Sequence, residues 1–285
     1  VCIYNEYIQN GKVIKNTRRE QKAPIVFKKL YDEETALFAL DVGKGMAVKC
    51  VMPGTYLFLR RQSSEGYFNV PISVMRSDVE NGQIWILVKG ISAKTKTLLL
   101  EEDCFWVRGP YKNGIFGLDS LNEILKGRNT KNIPRMLIIA KGAGIAPGMK
   151  MVQFAGERCE ITFYLDPAKL PEAAIEDCLA ESSVDVLPMD LSNQEELDGL
   201  ELDVVKGNYD GICIFASDYY VGTLGKSIRQ LSDSARLLVS NNFNLCCGEG
   251  ICGSCSVAGP KGETIKMCKC KFSGEEILEG QTVFV

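Results

Sequence analysis

Six of the chain's twelve cysteines fall within twenty-five residues, CCGEGICGSCSVAGPKGETIKMCKC, from Cys246 to Cys270. Thiols at that density act on a metal or on one another, and either outcome fixes the path of the chain around them. Cys247, Cys252 and Cys255 have C-x4-C-x2-C spacing, and Cys268 follows after twelve residues. Gly248, Gly250 and Gly253 lie between the first three, which describes a loop whose backbone N–H groups can point inward at sulfur. The spacing is that of plant-type 2Fe–2S ligation. Structural zinc usually pairs C-x2-C with a second C-x2-C, whereas here the second pair is C-x-C, Cys268 and Cys270. A disulfide framework needs an oxidising compartment that nothing else in the sequence suggests. The residues therefore point to 2Fe–2S first and zinc second, with Cys268 or Cys270 as fourth ligand and Cys246 a spare.

The chain contains no histidine. That excludes imidazole general acid–base catalysis, Ser-His-Asp and Cys-His nucleophiles, and every His-ligated metal site. Any metal is held by thiolate or carboxylate. The remaining cysteines (Cys2, Cys50, Cys104, Cys159, Cys178, Cys213) are scattered singly, mostly in apolar stretches, and read as buried small hydrophobes of a reduced, cytoplasmic protein. At 285 residues the chain suits two domains and a small appendix. Its 46% hydrophobic and 24% charged residues are those of a soluble globular protein. A net charge of −3 supplies no global field to recruit nucleic acid. No apolar run approaches the roughly 20 residues of a membrane span. The start, VCIYNEYIQN, is no signal peptide, and an opening on Val1 rather than Met leaves room for residues upstream.

Near the start, YIQNGKVI places an Asn10-Gly11 turn between short strand-like runs and predicts a hairpin within residues 1–23. Between residues 24 and 120 come IVFKKLY, TALFALDV, GTYLFLRR, PISVM, QIWILVKGI and DCFWVRG, separated by Gly, Pro or polar turns. That spacing predicts a small antiparallel barrel. RNTKNIPR, residues 128–135, reads as a polar linker. Over 130–240 the apolar runs RMLIIA, EITFYL, VDVLPM, GICIFA and ARLLVS alternate with helical stretches near 171–180 and 219–231. Such alternation predicts a doubly wound parallel sheet. Residues 241–285 hold the cysteine module and tail.

Two weaker motifs lie upstream. IIAKGAGIAPGM, Ile138–Met149, sets Gly142 and Gly144 directly after a strand, where a tight turn lets backbone approach a phosphate. The same turn serves close packing alone in many α/β proteins. VPISVM, Val70–Met75, places the Ser73 hydroxyl two residues after a proline that ends ladder pairing, and by itself reads equally as an ordinary strand serine.

Taken in order, these pieces resemble the ferredoxin–NADP reductase superfamily. Within it they resemble most the electron-transfer subunits of type B dihydroorotate dehydrogenases and the small subunits of NADH-dependent ferredoxin–NADP transhydrogenases. VMPGTYLFLR, with Pro53 and Gly54, is similar to the family's PGQF strand, and NVPISV to its flavin motif over Asn69, Val70, Pro71, Ile72 and Ser73. VRGPYKNGIF, with Gly109 and Pro110, is similar to GPxGNGF. AKGAGIAP, with Gly142, Gly144, Ile145, Ala146 and Pro147, is similar to GGxGxAP. CGEGICGSC followed by KMCK matches the cluster loop, which makes Cys268 the fourth ligand. The resemblance implies FAD in the barrel, with Ser73 near its reactive edge, NAD(P)H on the α/β domain, and a cluster that passes electrons to a partner oxidoreductase subunit. It places a phosphate contact between Gly90 and Thr95.

The departures are specific. The motif's arginine is Asn69 or Val70, the first Gly of GGxGxAP is Lys141, and the turn beneath the nicotinamide is Ala216-Ser217-Asp218. Asp166 follows the second sheet strand, which disfavours a 2′-phosphate and makes any nucleotide NAD rather than NADP. The expected architecture is mixed β and α/β: an antiparallel flavin-binding β-barrel, a doubly wound parallel-sheet nucleotide-binding domain, and a small C-terminal 2Fe–2S module. The expected function is an electron-transfer flavoprotein subunit in a hetero-oligomer, moving electrons between NAD(H), FAD and a 2Fe–2S cluster. One rival is an FAD/2Fe–2S relay of a larger, bifurcating complex with a degenerate nicotinamide site. The other is a non-catalytic zinc-binding scaffold. Lys261, Lys266, Lys269 and Lys271 around the cysteines read as a solvated face or as a steering patch for an acidic partner.

Overall fold

The structure is a computed structural model that describes residues 8, 11–12, 20–64, 69–126, 133–259 and 261–280. The expected hairpin within 1–23, most of the 128–135 linker and the tail beyond 280 lie largely outside the described residues.

Short runs of alternating or continuous apolar residues give seven strands: β1 (Gln21–Asp32), β2 (Thr35–Asp41), β3 (Tyr56–Arg61), β4 (Val70–Ser73), β5 (Arg76–Asp78), β6 (Gln83–Lys89) and β7 (Cys104–Tyr111). They form one antiparallel sheet in the order β4-β3-β7-β1-β2-β6-β5. Its two edge strands are consecutive in sequence, and the two residues between them close the curl. Val74 N–H donates to Thr55 O at 3.0 Å on one side, while Met75 N–H donates to Trp85 O at 2.9 Å on the other. Phe38, Leu57, Leu59, Ile84, Ile86, Phe105 and Val107 fill the interior. Two short helices, α1 (Lys44–Lys49) and α2 (Ala93–Leu98), flank it.

The second sheet holds β8 (Ile115–Phe116), β9 (Arg135–Lys141), β10 (Glu160–Asp166), β11 (Val186–Pro188), β12 (Gly211–Phe215) and β13 (Arg236–Ser240). Its order is β11-β10-β9-β12-β13-β8. The five later strands are parallel, as expected from the alternation, and β8 adds an antiparallel edge with Ile115 opposite Ser240. Met136, Ile138, Cys213 and Phe215 face one layer of helices, Leu137, Ile139, Ile212 and Ile214 the other. Burial on both faces is why these strands read as unbroken apolar runs.

The helices are α3 (Leu121–Ile124), α4 (Ile145–Ala155), α5 (Glu172–Leu179), α6 (Gln194–Gly207) and α7 (Asp218–Leu231). The sequence reading omits α6. Only Leu200, Val204 and Gly207 of it are buried, so its apolar stripe is too thin to read. Asn193 caps it, accepting Glu195 N–H at 3.0 Å. No helix among the described residues is long and apolar enough to cross a membrane.

The C-terminal segment forms the hairpin β14 (Ser256–Ala258) and β15 (Thr264–Lys266), then α8 (Gly274–Gly280). Residues 113–117 join all three parts. Gly114 N–H donates to Gly54 O at 2.8 Å, and Asn241 N–H donates to Gly114 O at 2.9 Å. Asn113 Nδ2 donates to Met267 O at 3.0 Å, and Gly117 N–H donates to Phe272 O at 2.8 Å.

Candidate functional site

Strand alternation divides β4 between two environments. Val70 and Ile72 point into the barrel core. Pro71 and Ser73 lie on the opposite face, in register with Phe58 and Tyr56 of β3. There Tyr56 and Tyr111 stack at 5.2 Å, and Phe58 meets Tyr111 edge-on at 5.1 Å. The Arg108 guanidinium lies over the same rings, 4.8 Å from Phe58 and 5.5 Å from Tyr111. Pro53 and Gly54 form the turn that opens β3, and the Gly109–Pro110 peptide near the end of β7 is cis.

The cysteine loop docks on this aromatic face. Arg108 Nη1 donates to Cys247 O at 2.9 Å and also to the Tyr111 hydroxyl. That hydroxyl donates to Glu249 Oε1 at 2.8 Å, and Lys269 Nζ holds Glu249 Oε2 at 2.9 Å. Gly248 sits against the rings at φ +68°. A Cβ there would lie 2.6 Å from Tyr111 and 2.8 Å from Phe58, so only glycine lets the loop approach this closely.

Among the four expected ligands Cys247 meets Cys252, which also bonds Cys246, and Cys255 meets Cys268, which also lies within electrostatic reach of Cys247. Backbone N–H groups of Glu249 and Cys252 aim at Cys247 Sγ at 3.3 and 3.5 Å, and Cys268 N–H aims at Cys255 Sγ at 3.4 Å. Burial raises the Cys247 thiol, but these donors and the Ile251 N–H outweigh it and bring it down to about 7. Burial and the neighbouring Cys255 push Cys268 up to about 12. Among the described residues, no three Cys, Asp or Glu side chains converge as a finished metal site. What the loop offers is thiol sulfur backed by N–H donors, the donor set of an iron–sulfur centre. Cys246 is exposed and Cys270 half-buried. Of the lysines around the loop, Lys266 bonds Ser256, Lys269 bonds Glu249 and Lys271 bonds Asp119, so much of this charge is answered within the chain.

The second candidate region is the crevice at the carboxyl ends of the parallel strands, a cavity of about 720 Å³ lined by Lys141, Asp166, Asp190 and Glu196 among others. Gly142–Gly144 form a tight turn, and Ile145, Ala146 and Pro147 begin α4. A Cβ on Gly144 would lie 1.8 Å from Phe215 O, so the approach of β12 alone accounts for this glycine. Lys141 ion-pairs with Asp166, and its ammonium lies 4.8 Å from the Tyr220 ring centroid. Burial pulls this lysine's pKa down, but the bond to Asp166 and its charge outweigh that and raise it. Asp166 also accepts the N–H groups of Ala168 at 2.8 Å and Leu191 at 2.9 Å. Asp218 is exposed at the first turn of α7. The Ala216 carbonyl before it is held by Ser240 and Asn242.

Thr95 lies in the cap at the start of α2. Its hydroxyl accepts Ser92 N–H at 2.8 Å in a capping box, and Gly90 N–H bonds Glu34 O at 2.6 Å. Sequence reasoning missed Arg108, Tyr111 and Glu249, whose one signal is an arginine directly before the Gly-Pro pair. It also missed Lys150, which is 1% exposed in α4. Lys150 Nζ donates to Ser77 Oγ at 2.8 Å and Gln153 Oε1 at 2.9 Å, and burial pulls its pKa down to about 8.

No protein-family model matches the chain, and no curated protein sequence is similar to it. Solved structures do match. The NADH-dependent reduced ferredoxin–NADP oxidoreductase, described as a case of flavin-based electron bifurcation, is 18% identical with a TM-score of 0.65, covering 92% of this chain and 95% of that one. Phthalate dioxygenase reductase, described as passing electrons from pyridine nucleotides to 2Fe–2S, is 16% identical with a TM-score of 0.58, covering 89% and 97%. A ferredoxin–NADP+ reductase from Neisseria gonorrhoeae with bound FAD and NADP is 12% identical with a TM-score of 0.59, covering 80% and 100%. The fold is that of the ferredoxin–NADP reductase-like proteins.

Proposed function

We propose that the chain is an electron-transfer flavoprotein subunit, carrying FAD on the barrel and a 2Fe–2S cluster in the C-terminal loop, and exchanging electrons with a partner oxidoreductase subunit. The observation that carries this reading is the direct seating of the four-cysteine loop on the aromatic face that also bears Pro71 and Ser73. Two cofactor-type sites thereby share one wall, through Arg108, Tyr111 and Gly248. The similar structures support the reading through their own flavin, nicotinamide and 2Fe–2S chemistry.

When bound, FAD accepts two electrons together and the cluster carries them singly. The chain's own residues bind, orient and exclude water. Ser73 presents a hydroxyl at the flavin face. Pro71 lies half-buried beside it, while Phe58 and Tyr56 are buried behind the strand and back it. Cys247, Cys252, Cys255 and Cys268 hold the iron, and the N–H groups of residues 249, 252 and 268 stabilise sulfur that carries negative charge. Nothing in this scheme asks for a side-chain acid or base, in keeping with a chain without histidine.

Anaerobically purified protein, with whatever subunits accompany it, is expected to hold about two irons, two sulfides and one FAD per chain. Equimolar zinc without iron, or a barrel that stays empty in excess FAD, would overturn the reading. Lys141 in the crevice favours the relay variant over direct oxidation of NADH, and the next inference rests on that residue.

A further inference from the structure

In an open α/β sheet a ligand enters outside the carboxyl ends of the strands, where the strand order reverses direction. Here the order β11-β10-β9-β12-β13 puts that point between β9 and β12. Lys141 is the last residue of β9. On one side its ammonium is paired with Asp166, the last residue of β10. On the other it lies against the ring of Tyr220, in α7 directly after β12. One side chain therefore spans the mouth of the crevice from β10 to β12. The Lys141 side chain is 22% exposed and that of Asp166 is 5%, so the pair is largely withdrawn from water.

We infer that Lys141 is a bolt across the dinucleotide crevice, and that its bond to Asp166 is what keeps NADH out of this chain. The inference deepens the proposed electron-transfer function by fixing which side the electrons do not come from. A dinucleotide needs two things at this place. Its pyrophosphate needs room over the Gly142–Gly144 turn, and its adenosine ribose needs an acidic acceptor after the second strand. Lys141 stands directly before that turn, with its ammonium held between Asp166 and Tyr220. It takes the acceptor, because Asp166 already receives two backbone N–H groups besides the ammonium.

The surrounding charge adds to the exclusion. The adjoining cavity over the ends of β9, β10 and β11 is lined, besides the Lys141–Asp166 pair, by Asp190 and Glu196, two further carboxylates beside the path of an entering phosphate. Gly144 does not testify to a ligand, since β12 already requires it. Together these make Lys141 a specificity-determining residue, one that acts by occupation. Electrons then reach the flavin from a partner.

The test is NADH titration of the full-length protein, followed by calorimetry, in wild type, Lys141→Gly and Lys141→Ala. Wild type is expected not to saturate below 1 mM, as roughly that threshold marks weak binding. At least one folded variant is expected to bind at least tenfold more tightly, because Asp166 regains a free face and the turn regains its room. Micromolar saturation of wild type overturns the inference, whatever the variants do. So does failure of every folded variant to bind at least tenfold more tightly than wild type, since the lysine would then be serving the phosphate or standing aside. Flavin content is read in the same samples from its absorbance. Protein that takes up no FAD sinks the electron-transfer reading and leaves the crevice result standing.

Discussion

The cysteine loop and the sheet crevice are each met by a cation borne on a strand, with opposite consequences. Arg108 on β7 reaches outward, stacks on Phe58 and Tyr111, and grips the Cys247 carbonyl with Glu249 3.8 Å away. Lys141 on β9 reaches across, pairs with Asp166 and packs on Tyr220. Both are strand cations with an aromatic neighbour and a carboxylate. One holds a ligand-bearing loop in place, and the other stands where a ligand would be. A motif therefore speaks for a site only when the direction of its side chains is known. The glycines of the crevice are retained beside a lysine that reaches across it to Asp166, whereas the barrel departs from the flavin motif at Asn69 and Val70 and its loop is firmly held.

The comparison is sharpened most by the loop's own ligands. Cys268→Ser is expected to abolish stable iron binding, while Cys270→Ser leaves about two irons per chain. Iron and sulfide assays on both variants decide the assignment, and the reverse pattern would move the fourth ligand to Cys270. A smaller effect is expected at the clamp. Arg108→Met removes a charge-assisted hydrogen bond and the ring contacts at once, and is predicted to cost about 2–3 kcal/mol. Chemical denaturation measures it. Faster loss of iron to a chelator, with FAD content unchanged, would mark the effect as belonging to the loop. An unchanged rate would make Arg108 an ordinary surface contact.

A pH-dependent effect concerns a third cation, Lys150, which lies in α4 against the barrel and bonds the neutral side chains of Ser77 and Gln153. Its pKa is about 8 in the folded protein against 10.5 for the free side chain. Below pH 8 both states carry the proton, and the folded state bears the full cost of a buried ammonium. As pH rises from about 8 towards 10.5, only the unfolded state stays protonated, so wild-type stability rises relative to Lys150→Met. The gain is on the order of 3 kcal/mol at most. Denaturation midpoints of both proteins across this range test it, and a pH-independent difference would show that Lys150 is charged and well compensated.

The framework of both sheets was legible because it depends on where apolar residues recur. IVFKKLY, TALFALDV and QIWILVKGI each lie in a strand of the barrel, and RMLIIA, EITFYL and GICIFA in parallel strands. The spacing of Cys247, Cys252, Cys255 and Cys268 was equally plain. What stayed hidden depends on direction and partner. β8 is two residues long, and its antiparallel pairing with β13 is a tertiary fact with no periodic signal. α6 carries too few apolar residues to stand out. The capping box that joins Thr95 to Ser92 likewise went unread, since its two hydroxyls announce no periodicity. Lys141 was recognisable as an intruder, but only the fold shows that Asp166 and Tyr220 flank it.

Residues 113–117 bind the barrel, the parallel sheet and the C-terminal module through backbone and amide hydrogen bonds to Gly54, Asn241, Met267 and Phe272. Rocking one lobe against another would break several of these together, at about 0.5–1.5 kcal/mol each. Reductases whose lobes hinge on a loose linker can pace their turnover by opening and shutting. This chain is riveted at its centre, so its internal spacings are set once, at folding. Under the proposed electron-transfer function, traffic is then metered at the periphery, by the docking and departure of a partner, and a more viscous solvent should slow that encounter while leaving the passage inside the chain untouched.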